Sequence, residues 1–66
     1  MKTARLDRFP NGFTVETWYD RSSRNWITQT KDAEHNQIGD ATYSGNQLSA
    51  RFAHRTHTAP FKQNER

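Results

Sequence analysis

The side chains that could perform acid–base or metal chemistry are few in this 66-residue chain, which contains no cysteine. Its one histidine cluster is His54-Arg-Thr-His57, whose spacing could place two imidazoles on one side of a helix end. Two ligands do not define a zinc site without a third, so no metal is expected. We interpret the two histidines as surface residues that interact favourably with the negatively polarised end of a helix.

Catalysis is the least expected class of function. The carboxylates of Asp32, Glu34 and Asp40 lie in or beside a turn, without an apolar pocket that could raise a pKa for general acid work. The chain also lacks a glycine-rich phosphate loop. The sequence therefore predicts a binding protein that is not an enzyme and needs no cofactor.

Basic side chains are better candidates for function. Residues 1–31 hold six basic and three acidic side chains. Residues 32–45 hold three acidic side chains and no basic one, and residues 46–66 hold four basic side chains and one acidic. Arg21 and Arg24 flank a turn, so one edge of a sheet could meet phosphates there. This basic footprint is mild, and the alternative is a solvated surface with a high isoelectric point.

Three segments have the β-branched and aromatic composition of strands, and turn residues separate them. The predicted strands are 13–19, 24–31 and 37–43, and the third is weakened by an internal glycine and aspartate. The first two form a hairpin. In the second connector, Asn36 is the residue expected to adopt a left-handed conformation.

A helix is predicted after the third strand. Ser44 and Gln47 have the spacing of a capping box, in which each side chain bonds the backbone amide of the other residue. Leu48 and Phe52 lie one turn apart and would dock the helix on the sheet.

The expected fold class is therefore α+β: a three-stranded antiparallel sheet followed by one C-terminal helix, in the order β-β-β-α. The single domain spans residues 12–57, and the helix covers about residues 45–57. Residues 1–11 lack periodicity, and a proline at position 60 should stop the helix. We expect 1–11 and 58–66 to be flexible tails.

The hairpin register decides which side chains share a face. A connection of two or four residues places the side chains of one apolar set together: Phe13, Val15, Thr17, Tyr19, Trp26 and Thr28. A three-residue connection would instead bring Trp18 and Trp26 together. With the first register, Trp18 and Ile27 fall on the other face. Two interpretations are open for Trp18 and Ile27. The tail segments with Phe9 or Phe61 could cover both side chains, or the two could form an exposed patch that binds a partner.

Three features of this pattern resemble the small DNA-binding modules at the N-termini of tyrosine recombinases and in plant AP2 proteins. They are Trp26 in the second strand, Tyr43-Ser44 at the end of the third and Ala50 in the helix. In that family the uncovered sheet face lies in the major groove of DNA. The resemblance implies that the contact residues here are Trp18, Arg21, Arg24, Asn25, Gln29 and Lys31.

The size and architecture are also similar to small accessory proteins of phages and mobile elements, such as anti-CRISPR proteins. A protein of that kind would bind another macromolecule, and Arg51 and Arg55 on the helix are candidates for a secondary contact. The partner is thus nucleic acid, which is slightly favoured, or a protein, and a homodimer is also compatible with the sequence. We expect a cytoplasmic protein without a membrane partner, because no apolar run suits a spanning helix or a secretory signal.

Overall fold

Four strands and one helix form the part of the chain that the structure, a computed structural model, describes, which is residues 3–62. The elements are β1 (Thr3–Arg8), β2 (Thr14–Asp20), β3 (Asn25–Lys31), β4 (Thr42–Ser44) and α1 (Gln47–Lys62). The strands form one antiparallel sheet in the order β1-β2-β3-β4. The predicted α+β class with a C-terminal helix is confirmed. The strand count is corrected from three to four.

The additional strand is β1, which lies in the segment expected to be an unpatterned tail. It pairs with β2 through Leu6↔Glu16 and Asp7↔Val15, with a register shift between Thr3 and Arg5. The sequence of β1 contains few β-forming residues, so its propensity does not predict a strand. Charged side chains are typical of an edge strand, where they discourage pairing with other chains.

The β2–β3 hairpin has the register predicted for a four-residue connection. Tyr19 pairs with Trp26 and Thr17 pairs with Thr28, so these side chains share one face, while Ile27 lies on the other. The rings of Tyr19 and Trp26 meet edge to face with their centroids 5.3 Å apart. The turn residues left two registers open, and the structure has the one that gathers the larger apolar set on one face.

Local hydrogen bonds explain the two turns. Hydroxyls of Ser23 and Ser22 donate to the carboxylate of Asp20 and lower the pKa of this exposed group below 3.8. In the second connector the left-handed residue is His35, with φ 69°, and the prediction of Asn36 was wrong. The amide of Asn36 instead donates to the side chain of Asp32, which fixes the loop.

Asn46 is the residue that caps α1. Its side-chain oxygen accepts from the amide of Ser49 at 2.8 Å, and its carbonyl accepts from the amide of Ala50 at 3.1 Å. Ser44 is instead the buried last residue of β4, paired with Trp26. The predicted capping box at Ser44 was therefore wrong, because the strand continues through that residue.

The helix docks with a different side from the one predicted. Leu48 and Phe52 are 63% and 57% exposed. The buried side consists of small and polar residues at helical spacing: Ala50, Ala53, His54 and Thr58. Small side chains allow a close approach of the helix to the sheet, whereas buried polar side chains require hydrogen-bond partners there.

The helix continues past Pro60 to Lys62, so the prediction that this proline ends it was wrong. Phe61 stacks on Phe9 at 4.7 Å between centroids and contacts Phe13 at 5.4 Å. These rings join the helix end to the sheet, and their packing offsets the poor helix propensity of proline. Among residues 3–62, no helix has the length and apolar character needed to cross a membrane.

Candidate functional site

A chain of side-chain hydrogen bonds runs between the sheet and the helix. Thr28 Oγ1 lies 2.9 Å from Thr17 Oγ1, which lies 2.7 Å from His54 Nδ1, and His54 Nε2 lies 2.7 Å from Asp7 Oδ2. Because a carboxylate only accepts, Nε2 of His54 carries a hydrogen, and the Nδ1 of a neutral ring accepts from Thr17. The chain therefore joins β3, β2, α1 and β1.

His57 makes a second set of contacts one turn further along the helix. Its Nδ1 lies 2.8 Å from Thr30 Oγ1 and its Nε2 lies 2.8 Å from Thr42 Oγ1. Burial, and then the neighbouring His54, lower the pKa of His57 below 6.5. The interpretation of both histidines as surface residues at a helix end was wrong, because they face the sheet and the helix extends beyond them.

The order Asp7–His54–Thr17 is that of a nucleophilic triad, but its burial favours another role. His54 is 3% exposed and Thr17 is 4% exposed, and the Thr17 hydroxyl also meets Thr28. Both side chains line a cavity of about 140 Å³, but so little of either is exposed that the hydroxyl is poorly placed to attack a substrate. We therefore attribute the array to the docking of the helix. No group of three potential metal ligands occurs among the described residues.

The sheet surface opposite the helix, called here the open face, has no described element packed on it. Three side chains form a row across its strands, because Trp18 pairs with Ile27 and Ile27 pairs with Tyr43. Ile27 is only 9% exposed, whereas Tyr43 is 63% exposed and Trp18 is half-buried. Phe9 and Phe61 do not cover this row, because they pack together at the helix end.

The predicted contact residues divide between the open face and the hairpin tip. Trp18, Asn25, Gln29 and Lys31 share the open face by strand alternation. Arg21 and Arg24 are exposed in the turn, and Arg24 has φ 58°. Gln29 is held by a 2.7 Å bond to Gln37. Lys31 lies roughly 20 Å along β3 from the turn, given a rise of about 3.3 Å per residue.

The secondary candidates Arg51 and Arg55 lie on the exposed side of the helix, and the structure adds Arg5 of β1 to them. All three line one cleft of about 320 Å³. Sequence reasoning missed Arg5, since its segment carried no strand pattern. It also missed Tyr43 as a surface residue, although the alternation around Thr42 and Ser44 could have placed it on the open face.

Comparisons of the chain with models of known protein families, with curated proteins and with solved structures found no match.

Proposed function

We propose that the protein is a non-enzymatic nucleic-acid-binding module that uses the open face of its sheet. The observation that carries this proposal is the uncovered row of Trp18, Ile27 and Tyr43. Exposed aromatic rings on a sheet can stack on bases, and neighbouring amides such as those of Asn25 and Gln29 can bond to base edges. The resemblance to DNA-binding modules with an uncovered sheet agrees with this use of the face.

The charges around the open face support a weak, salt-sensitive interaction. Arg21 and Arg24 extend the face at the hairpin tip, and Lys31 adds a charge at the opposite end of β3. The same face also carries the carboxylates of Glu16 and Asp20, whose negative charges keep the interaction weak. With three to four phosphate contacts, the logarithm of the affinity for duplex should fall with the logarithm of salt concentration with a slope near −3.

The test is a fluorescence-anisotropy titration with labelled random-sequence duplex and single-stranded oligonucleotides at about 20 mM salt, where electrostatic binding is strongest. We expect binding that weakens as salt is added. Replacing both turn arginines, in Arg21→Gln/Arg24→Gln, should make the duplex slope shallower by about 2. If neither the duplex nor the single strand binds, the proposal is overturned.

A matched pair of variants locates the interface. Tyr43 on the open face and Thr56 on the outer side of the helix are both exposed. Tyr43→Ala should weaken single-strand binding by about 1–3 kcal/mol, the usual contribution of a stacked base, and Thr56→Ala should leave it unchanged. Equal losses in both variants would contradict use of the open face.

A protein partner is the second candidate, with the chain acting as an accessory or inhibitor of the phage or mobile-element kind. The observation that favours it is the apolar character of the same row, which Leu6, 41% exposed, extends towards β1. Trp18→Ala separates the candidates. For a protein partner, the variant should keep its thermal midpoint and lose the bound protein in a pull-down at high salt, at a cost of about 2 kcal/mol or more in binding.

A further inference from the structure

The cleft between β1 and α1, called here the arginine cleft, combines strong positive charge with a defined shape. Arg5 contributes from the strand, and Arg51 and Arg55 contribute from the helix, around a volume of about 320 Å³. No acidic residue is among the described residues that line it. Arg51 and Arg55 are four residues apart, so two like charges face the same side of the helix, an arrangement that destabilises a free helix.

The hydrogen-bond chain beneath the cleft gives Arg5 a fixed neighbour. Asp7 Oδ2 lies 3.7 Å from Arg5 Nε, and the same oxygen contacts His54 Nε2 at 2.7 Å. His54 is in turn held by Thr17 in the core. The carboxylate that positions Arg5 is therefore itself anchored from inside the protein, while the guanidinium remains exposed.

We propose that the arginine cleft binds a phosphate group. Three guanidinium groups and one nearby carboxylate leave a local charge of about +2, which complements the charge of a phosphomonoester or of closely spaced phosphates. Guanidinium forks match the geometry of phosphate oxygens and bond to them with two parallel N–H donors. A bound phosphate also relieves the repulsion between Arg51 and Arg55.

This site is separate from the open face, because its helix residues lie on the opposite side of the sheet. The phosphate can belong to a small molecule or to the backbone or end of a nucleic-acid strand, and the chemistry of recognition is shared. The cleft can therefore bind phosphate even if the open face binds a protein.

The first experiment is a calorimetric titration of the protein with inorganic pyrophosphate, and acetate at equal ionic strength is the comparison. The second is an anisotropy titration with a 5′-phosphorylated single strand and with its unphosphorylated equivalent. Arg51→Gln/Arg55→Gln is the test variant, and Arg21→Gln/Arg24→Gln carries the same charge change at the hairpin tip. All four arginines are exposed, so both variants should fold. Side-chain Nε–H NMR signals of Arg5 report contact in the unmodified cleft.

We expect pyrophosphate to bind the unmodified protein and to shift the NMR signal of Arg5. The affinity for pyrophosphate should fall about tenfold or more in the cleft variant and change less than about twofold in the turn variant. If pyrophosphate does not bind but the cleft variant selectively weakens the phosphorylated strand, the phosphate comes from nucleic acid and the proposal stands. If acetate binds as well as pyrophosphate, or if both arginine variants behave alike in both titrations, the proposal is overturned.

Discussion

The two faces of the sheet reverse the usual distribution of polar and apolar side chains. Under the helix, the buried layer is rich in hydroxyls and imidazoles, including Thr17, Thr28 and His54. On the open face, Trp18, Ile27 and Tyr43 form an apolar row that no described element covers. The covered face is thus held by directional bonds, and the uncovered face keeps a row of apolar side chains.

This difference shows how so small a domain can leave an apolar surface uncovered. A buried hydroxyl or imidazole is costly unless it is bonded, and no buried side-chain nitrogen or oxygen of the described residues lacks a partner. A fully bonded polar layer specifies one position of the helix. The aromatic side chains of the open face are then not needed as the main core.

The strongest test of the comparison is His54→Ala. The substitution removes the ring that joins Thr17 to Asp7 and leaves a cavity, so we expect a loss of about 3 kcal/mol in the free energy of unfolding. This is a large part of the stability of a 66-residue domain. Chemical denaturation measures the loss, and Arg55→Ala on the exposed side of the helix is the control. Equal small losses would mean that the polar layer does not hold the helix.

Ile27→Ala tests the open face. Ile27 is largely buried between Trp18 and Tyr43, so its truncation should lower the free energy of unfolding by about 2 kcal/mol. This is the lower end of the usual loss for a buried isoleucine, because no second layer packs above it. The same denaturation experiment applies. A loss greater than that of His54→Ala would show that the apolar row is the principal core and would reverse the comparison.

Lowering the pH should destabilise the covered face through His57. The pKa of His57 is lowered by burial and by His54, so the unfolded chain takes up a proton more readily, and stability falls as pH drops below 6.5. Above that pH the contribution is fully present. The thermal midpoint should therefore decrease between pH 7.5 and pH 5.5, and His57→Gln should reduce the decrease. An identical pH dependence in this variant would assign the effect to other groups.

The smallest effect is expected for Phe52→Ala. Phe52 is exposed on the outer side of the helix, so its truncation should change the free energy of unfolding by about 0.5 kcal/mol or less. The pattern of the sequence places it in the core, where the loss would be about 3 kcal/mol. Denaturation midpoints of this variant and of Ala53→Gly, on the buried side, would distinguish the two orientations of the helix.

The candidate site could be predicted only in part. Asn25, Gln29 and Lys31 could be placed on one face of β3 because the side chains of a strand have a period of two. The turn residues did not decide the hairpin register, so the exposed face stayed open. The convergence of Arg5 with the helix arginines could not be predicted. It depends on β1 joining the sheet edge, and the sequence of β1 carries no local signal for a strand.

By itself, the sequence determined the α+β class, the β2–β3 hairpin and the existence of a helix near the C-terminus, because turn chemistry and side-chain periodicity act over a few residues. The tertiary structure alone decided which side of the helix is buried. Leu48 and Phe52 are the more apolar choice, yet the buried side carries His54 and His57. The partners of these histidines lie on strands that are distant in the sequence, such as Asp7 of β1. A polar side chain can be buried only where a partner meets it, and a bond between residues 47 positions apart is absent from any local pattern.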